Sequence, residues 1–204
     1  MQMVMPESGR LVVVVDDYPE IAVAISDLLH AFSYETRVFL SAEALLAAGV
    51  PENACCLLLD LSLPGLDGVE LLTRLRQQGC TVPALLVSAV GNIRQAVRAL
   101  QAGALDFIEK PYVPSQLLAA VQACEAAHIQ PREASPPPWL ERLTKREREV
   151  LDGVVEGLST KAIARNLSIS PRTAEIHRGN LMAKAGAANP ASLVRMVFAA
   201  MPRQ

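Results

Sequence analysis

Short apolar runs alternate with longer amphipathic segments from Leu11 to Ala127. Leu11–Val15, Cys56–Leu59, Ala84–Val87 and Ala104–Ile108 are four or five residues long and are bounded by turn residues or acids. Runs that short and that apolar fit parallel strands buried on both faces. Glu35–Leu40 is a weaker strand between the first two. Segments with helical period lie between the strands: Ile21–Phe32, Ala42–Ala48, Gly68–Gln77, Ile93–Ala102 and Gln116–Ala127. Five strand–helix repeats predict an α/β fold, a doubly wound five-stranded parallel sheet with helices on both faces. In such sheets function gathers beyond the carboxyl ends of the strands.

The pattern then breaks. Gln130–Pro138 holds four prolines in nine residues, too many for a helix and too polar for a core strand. It predicts an extended spacer over 129–138, separating a first domain, 1–128, from a second, 139–204. Beyond it strand signals cease. Thr144-Lys-Arg-Glu147 is a capping box opening a helix that runs to Glu156, before Gly157. Ser159 or Thr160 starts a second helix, ending at Leu167. Ser170-Pro171 opens a third, ending at Ala185, and Asn189-Pro190 a fourth, Ala191–Ala200. The result is a small all-α four-helix module, and the second and third helices have the spacing of a helix-turn-helix.

Charge separates the two halves further. The 204 residues carry a net charge of −2. Residues 1–128 hold 14 acids against 7 bases, a net −7, and residues 139–204 hold 6 acids against 11 bases, a net +5. That split points to an acidic module joined to one that binds a polyanion. No apolar run approaches the roughly 18 residues of a membrane span, and Met1–Arg10 lacks the build of a secretory signal. Cys55, Cys56, Cys80 and Cys124 form no CxxC pair and read as free thiols in a reducing compartment. A cytoplasmic protein without membrane partners is expected.

At the strand ends stand Asp16 and Asp17 after the first, Asp60 at the third, Ser88 at the fourth and Lys110 after the fifth. Carboxylates gathered at one edge repel one another unless a cation joins them. Oxygen donors of this kind suit Mg²⁺ (or Mn²⁺), which keeps several waters and accepts phosphate oxygens. Lys110 adds positive charge and Ser88 a hydroxyl donor, completing a site for a phosphoryl group. A carboxylate in such a site can itself be the nucleophile, and Asp60, alone on the central strand, is the candidate. A single Asp at a strand end is ordinarily a turn or cap residue. Five such residues on one edge are not explained that way.

VVVVDD (12–17), LLLDLSLPGLDG (57–68), LLVSA (85–89) and ALDFIEKP (104–111) resemble the receiver domain of two-component response regulators. The resemblance implies that Asp60 accepts a phosphoryl group from a histidine kinase. It further implies that Asp16, Asp17, Asp60 and the backbone carbonyl of Ser62 bind Mg²⁺, and that Ser88 and Lys110 hold the phosphoryl oxygens. Ser88 and Phe107 would form the switch pair, and Lys110–Pro111 would be a cis peptide. Tyr18 stands where many relatives carry a third acidic or amide residue. Ser62 and Val90 occupy positions whose side chains screen attacking water.

In the third helix of the second domain, Ala174, His177, Leu181 and Ala185 form the apolar face. Arg172, Glu175, Ile176 and Gly179 lie opposite, where a helix-turn-helix meets base edges in the major groove. Lys161, Arg165, Arg172, Arg178 and Lys184 suit phosphates, whose contacts position without specifying sequence. LTKREREVL (143–151), GLSTKAIA (157–164), ISPRT (169–173) and EIHRGNLMAK (175–184) resemble a LuxR-type DNA-binding domain, with Thr173 among the matched residues. Ala174 is smaller than the usual valine, and Gly179 replaces a larger residue at a helix-interior cost of about 1 kcal/mol. Together the two domains resemble the NarL/FixJ group of response regulators, the FixJ branch most closely. That resemblance implies a histidine kinase, double-stranded DNA and RNA polymerase as partners, and a homodimer on phosphorylation; the face of helix 92–102 and strand 104–108 would dimerise or release the DNA-binding domain. No enzyme activity is implied beyond self-catalysed phosphotransfer and dephosphorylation at Asp60. Two other classes share parts of the pattern. A haloacid-dehalogenase-type hydrolase wants a DxD nucleophile on the first strand, where Asp16-Asp17-Tyr18 stands instead. A phosphorylation-independent adaptor would use both modules for protein contacts alone.

Overall fold

The computed structural model describes residues 10–88, 93–129, 137–187 and 190–198. Strands β1 (Leu11–Val15), β2 (Glu35–Phe39), β3 (Ala54–Asp60), β4 (Ala84–Ser88) and β5 (Asp106–Glu109) form one sheet in the order β2-β1-β3-β4-β5. Every neighbouring pair is parallel. Helices α1 (Pro19–His30), α2 (Ala42–Ala48), α3 (Gly68–Gln77), α4 (Ile93–Gln101) and α5 (Pro114–Ile129) alternate with the strands. This is the doubly wound α/β architecture that the pattern predicts. β1 and β3 are buried along their whole length, because helices cover both faces, whereas β2 lies at the sheet edge and is mostly exposed.

Local chemistry sets most helix starts. Pro19 opens α1 at its first position. Ser41 caps α2 by accepting from the Ala44 N–H, and Asp67 and Glu70 make a reciprocal capping box at α3. Gly68 begins α3 directly against the backbone of Asp60, where a β-carbon would collide with the Asp60 carbonyl. This close approach holds the start of α3 tightly on the end of β3. The Lys110–Pro111 peptide is cis.

The C-terminal helices are α6 (Lys145–Val155), α7 (Thr160–Asn166), α8 (Pro171–Ala185) and α9 (Pro190–Phe198). A 3-10 segment, Pro138–Arg142, precedes them and has no counterpart in the periodicity. It forms around Trp139, which is buried in the core of this region with Leu143, Val150, Leu151, Val154, Leu181 and Leu193. Thr144, Ser159 and Ser170 cap α6, α7 and α8, as their positions in the chain predict. The Asn189 cap, the start of the 92–102 helix, Val90, residues 1–9 and most of the proline spacer lie outside the described residues.

By contacts the chain divides into two compact units. One comprises residues 1–90 and 102–132, and the other residues 91–101 and 133–204. Helix α4 falls in the second unit, whose core includes its Val97 and Leu100. The division is discontinuous along the chain, whereas the spacer marks a single boundary. No described helix is long and apolar enough to cross a membrane.

Candidate functional site: a carboxylate–lysine cluster and an exposed helix face

The strand order reverses direction between β1 and β3, the position where open parallel sheets bind ligands. Asp16 follows β1 and Asp60 ends β3, so both carboxylates stand at this point. They are 2% and 6% exposed. Lys110, one residue beyond β5, reaches across to both: its Nζ donates to Asp60 Oδ1 at 2.7 Å and to Asp16 Oδ2 at 3.0 Å. The loop N–H groups complete the cluster. Ser62 N donates to Asp60 Oδ2 at 2.8 Å, and Tyr18 N donates to Asp16 Oδ1 at 2.9 Å. Backbone bonds fix the lysine's base, since Lys110 N donates to the carbonyl of Ser88 at 2.7 Å. Burial works against the Lys110 ammonium, but its hydrogen bonds to Asp60 and Asp16 outweigh that effect and raise its pKa above the ordinary 10.5.

Asp17 differs from its neighbour. Its Oδ1 is buried and has no hydrogen-bond partner among the described residues. Among the described residues no three acidic, histidine or cysteine side chains already stand in metal-ligating array. The Lys110 ammonium is paired with two of the three acids. A partnerless carboxylate oxygen beside two buried carboxylates nevertheless fits a hard cation that needs few protein ligands and keeps waters. Ser88 is buried at the end of β4 and is paired in register with Glu109. Phe107 is half-buried on β5, opposite Leu86. Asp16, Asp60 and Lys110 are thus in direct contact, with Asp17 and Ser62 adjoining them along the chain and Ser88 joined to Lys110 by the backbone hydrogen bond.

In the helix-turn-helix, Ser168 takes a left-handed turn (φ 54°) between α7 and α8. Ala174, Leu181 and Ala185 anchor α8 in the core, and His177 is half-buried beside them. Arg172, Glu175, Ile176 and Gly179 are exposed on the opposite face, and Lys161 and Arg165 are exposed on α7. Thr173 is tied to the cap, its Oγ1 lying 2.7 Å from Ser170 Oγ. Two of the candidate phosphate ligands have internal partners. Arg178 Nη1 donates to Thr160 Oγ1 at 2.7 Å. Lys184 Nζ donates to Glu147 Oε2 at 2.6 Å and to the Arg142 carbonyl at 3.1 Å. Glu147 is 3% exposed, and its bonds to Lys184 and to the Thr144 N–H hold its carboxyl below the ordinary 4.5. Asn180 and Ala183 extend the exposed stripe of α8. The helical period running from Arg172 and Ile176 was the available signal for both.

Residues 12–122 match the family described as response regulator receiver domain, and residues 141–197 match bacterial regulatory proteins of the luxR family. The chain is 37% identical over 201 residues to the transcriptional regulatory protein FixJ of Azorhizobium caulinodans, covering 96% of this chain and 95% of that protein. It is 33% identical over 200 residues to the response regulator protein TodT of Pseudomonas putida, covering 94% and 87%. Among solved structures, full-length FixJ from B. japonicum matches with a TM-score of 0.55 at 34% identity, covering 93% of this chain and 96% of that one. The response regulator StyR matches with a TM-score of 0.56 at 33% identity, covering 92% and 97%.

Proposed function

Because the chain belongs to the response regulators of NarL/FixJ type, which join a receiver domain to a LuxR-type DNA-binding domain, we propose that Asp60 is its phosphoacceptor. The chain is a two-component transcriptional regulator rather than a conventional enzyme. Residues 1–128 act as the receiver, 129–138 as the linker and 139–204 as the DNA-binding domain. The observation that carries the reading is the Lys110 ammonium bound at once to Asp60 and Asp16. It places a fixed positive charge where phosphoryl charge would develop.

In the transfer, a carboxylate oxygen of Asp60 attacks the phosphorus of a phosphohistidine on the kinase. The P–O bond forms as the P–N bond breaks, and the electron pair leaves with the imidazole nitrogen, which takes a proton. Lys110 and the Ser62 N–H hold the Asp60 carboxylate in place, and burial keeps bulk water away from it. Asp16, Asp17, Asp60 and the Ser62 carbonyl would hold Mg²⁺ or Mn²⁺. When bound, the ion neutralises charge on the phosphoryl oxygens. Ser88 and Lys110 then take those oxygens. As the Ser88 hydroxyl moves to the phosphoryl group, the Phe107 ring follows it inward. The added charge biases the face of helix 92–102 and strand 104–108 towards a homodimer. On DNA, Arg172, Thr173, Glu175, Ile176 and Gly179 of α8 meet the major groove, and Lys161 and Arg165 meet phosphates. The Arg178 and Lys184 side chains support α8 from behind through Thr160 and Glu147. RNA polymerase is the partner a promoter-bound regulator addresses, and the cytoplasm is where kinase and DNA are both reached.

Incubating the full chain with Mg²⁺ and a small phosphodonor tests the assignment. Intact-mass measurement detects one phosphoryl group on the wild type and none on Asp60→Asn. An equally phosphorylated Asp60→Asn protein would place the acceptor elsewhere.

A further inference from the structure

The C-terminal module contains four glycines, Gly153, Gly157, Gly179 and Gly186. Three of them have a reason within the fold. A β-carbon at Gly153 would lie 2.7 Å from Ile163 Cγ1, so α6 and α7 need that glycine to pack. Gly157 and Gly186 follow α6 and α8 in left-handed conformations, at φ 74° and 68°. Gly179 has neither reason. It lies in the middle of α8 without a positive φ, and a β-carbon there would meet nothing within 4 Å. Glycine at an exposed helix-interior position weakens the helix relative to alanine. Among the described residues no contact offsets that loss, so a reason for glycine is sought in what α8 meets outside the fold.

The surroundings indicate what comes. Ile176, one turn earlier on the same face, is 55% exposed and offers an apolar side chain to whatever α8 meets. Ala183, one turn later, is also exposed. The three positions form an apolar strip with a gap at its centre, between the polar side chains of Glu175 and Asn180. The apolar group that a base edge presents in the major groove is the C5-methyl of thymine. We infer that Gly179, one turn from the exposed Ile176, leaves a gap in the helix face that receives the methyl group of one thymine in each half-site. This rests on α8 being the helix that enters the major groove. Gly179 is then a specificity-determining residue through the side chain it lacks.

The test starts with duplexes enriched from a randomised pool by the full-length chain, supplied with Mg²⁺ and a small phosphodonor. Each thymine of the enriched site is replaced in turn by deoxyuridine, which lacks only the methyl. At one position per half-site the replacement weakens wild-type binding about fourfold, the worth of one buried methyl group. Gly179→Ala unfolds at a higher temperature than the wild type, which shows that it is folded. It binds the thymine duplex more weakly and no longer distinguishes thymine from deoxyuridine at that position, while ratios at the other positions persist. The inference is overturned if Gly179→Ala keeps the wild-type affinity and the wild-type thymine preference throughout. A wild type indifferent to every deoxyuridine replacement overturns it equally. A wild type that takes up phosphate yet enriches no sequence would instead contradict the DNA-binding reading itself, and the inferred gap with it.

Discussion

Lys110 and Lys184 are both paired with buried carboxylates, yet they serve different ends. Lys110 bridges two acids at the sheet edge where the proposed phosphoryl group would be held. Lys184 fastens α8 to Glu147 at the start of α6. Replacing Lys184 with Met should lower stability by about 1–3 kcal/mol, because Glu147 stays buried without its charged donor. The slope of log K for DNA against log salt should remain that of the wild type. Lys161→Met, on an exposed side chain of α7, should do the reverse, leaving stability intact and reducing the slope by about 0.9, the share of one phosphate contact. A slope reduced by as much in Lys184→Met would show that Lys184 touches DNA after all. Glu147 also predicts a pH dependence. Its folded pKa is held below the unfolded value near 4.5, so it adds stability above that value. The contribution fades as pH falls through the folded pKa. Urea midpoints followed by the fluorescence of Trp139, the chain's one tryptophan, should fall below about pH 4.5, and Glu147→Gln should flatten that part of the profile.

Among the elements, the capped helices carry their boundaries in local sequence. Ser170→Ala should destabilise the C-terminal unit by about 1 kcal/mol, read as a shift in the same urea midpoint, since it removes the acceptor for the Thr173 N–H. An unchanged midpoint would show that Pro171 alone sets the start of α8. The same locality explains what could be read without a structure. Ala42–Ala48, Gly68–Gln77 and Pro171–Ala185 are legible at both ends, because cap and stop residues lie beside them. Strand ends are less so. β3 extends to Ala54 and Asp60, and β5 begins at Asp106 rather than Ala104, because pairing with neighbouring strands decides those limits. The 3-10 segment at Pro138–Arg142 depends on the burial of Trp139 and has no periodic signal. The carboxylate–lysine cluster was legible because topology alone brings strand ends to one edge. The Lys184–Glu147 and Arg178–Thr160 pairs were not, since they depend on how α8 crosses α6 and α7.

For the whole molecule, the net charge of −2 conceals an acidic receiver and a basic DNA-binding module. Shifting a two-state population from 1:99 to 99:1 takes about 5.5 kcal/mol of differential binding. In the proposed switch phosphorylation, dimerisation and DNA would together supply that difference, so sedimentation of the phosphorylated chain should show a dimer that Asp60→Asn does not form. A phosphorylated chain that stays monomeric at every concentration would remove dimerisation from the switch. The central claim is that phosphate on Asp60 controls DNA binding, and fluorescence anisotropy on an enriched duplex measures it directly. The wild type should bind about tenfold tighter or more, 1.4 kcal/mol or more, after treatment with Mg²⁺ and a small phosphodonor, while Asp60→Asn binds alike with and without it. A wild type that carries the phosphoryl group yet binds DNA unchanged, or an Asp60→Asn variant that tightens equally, would contradict the claim.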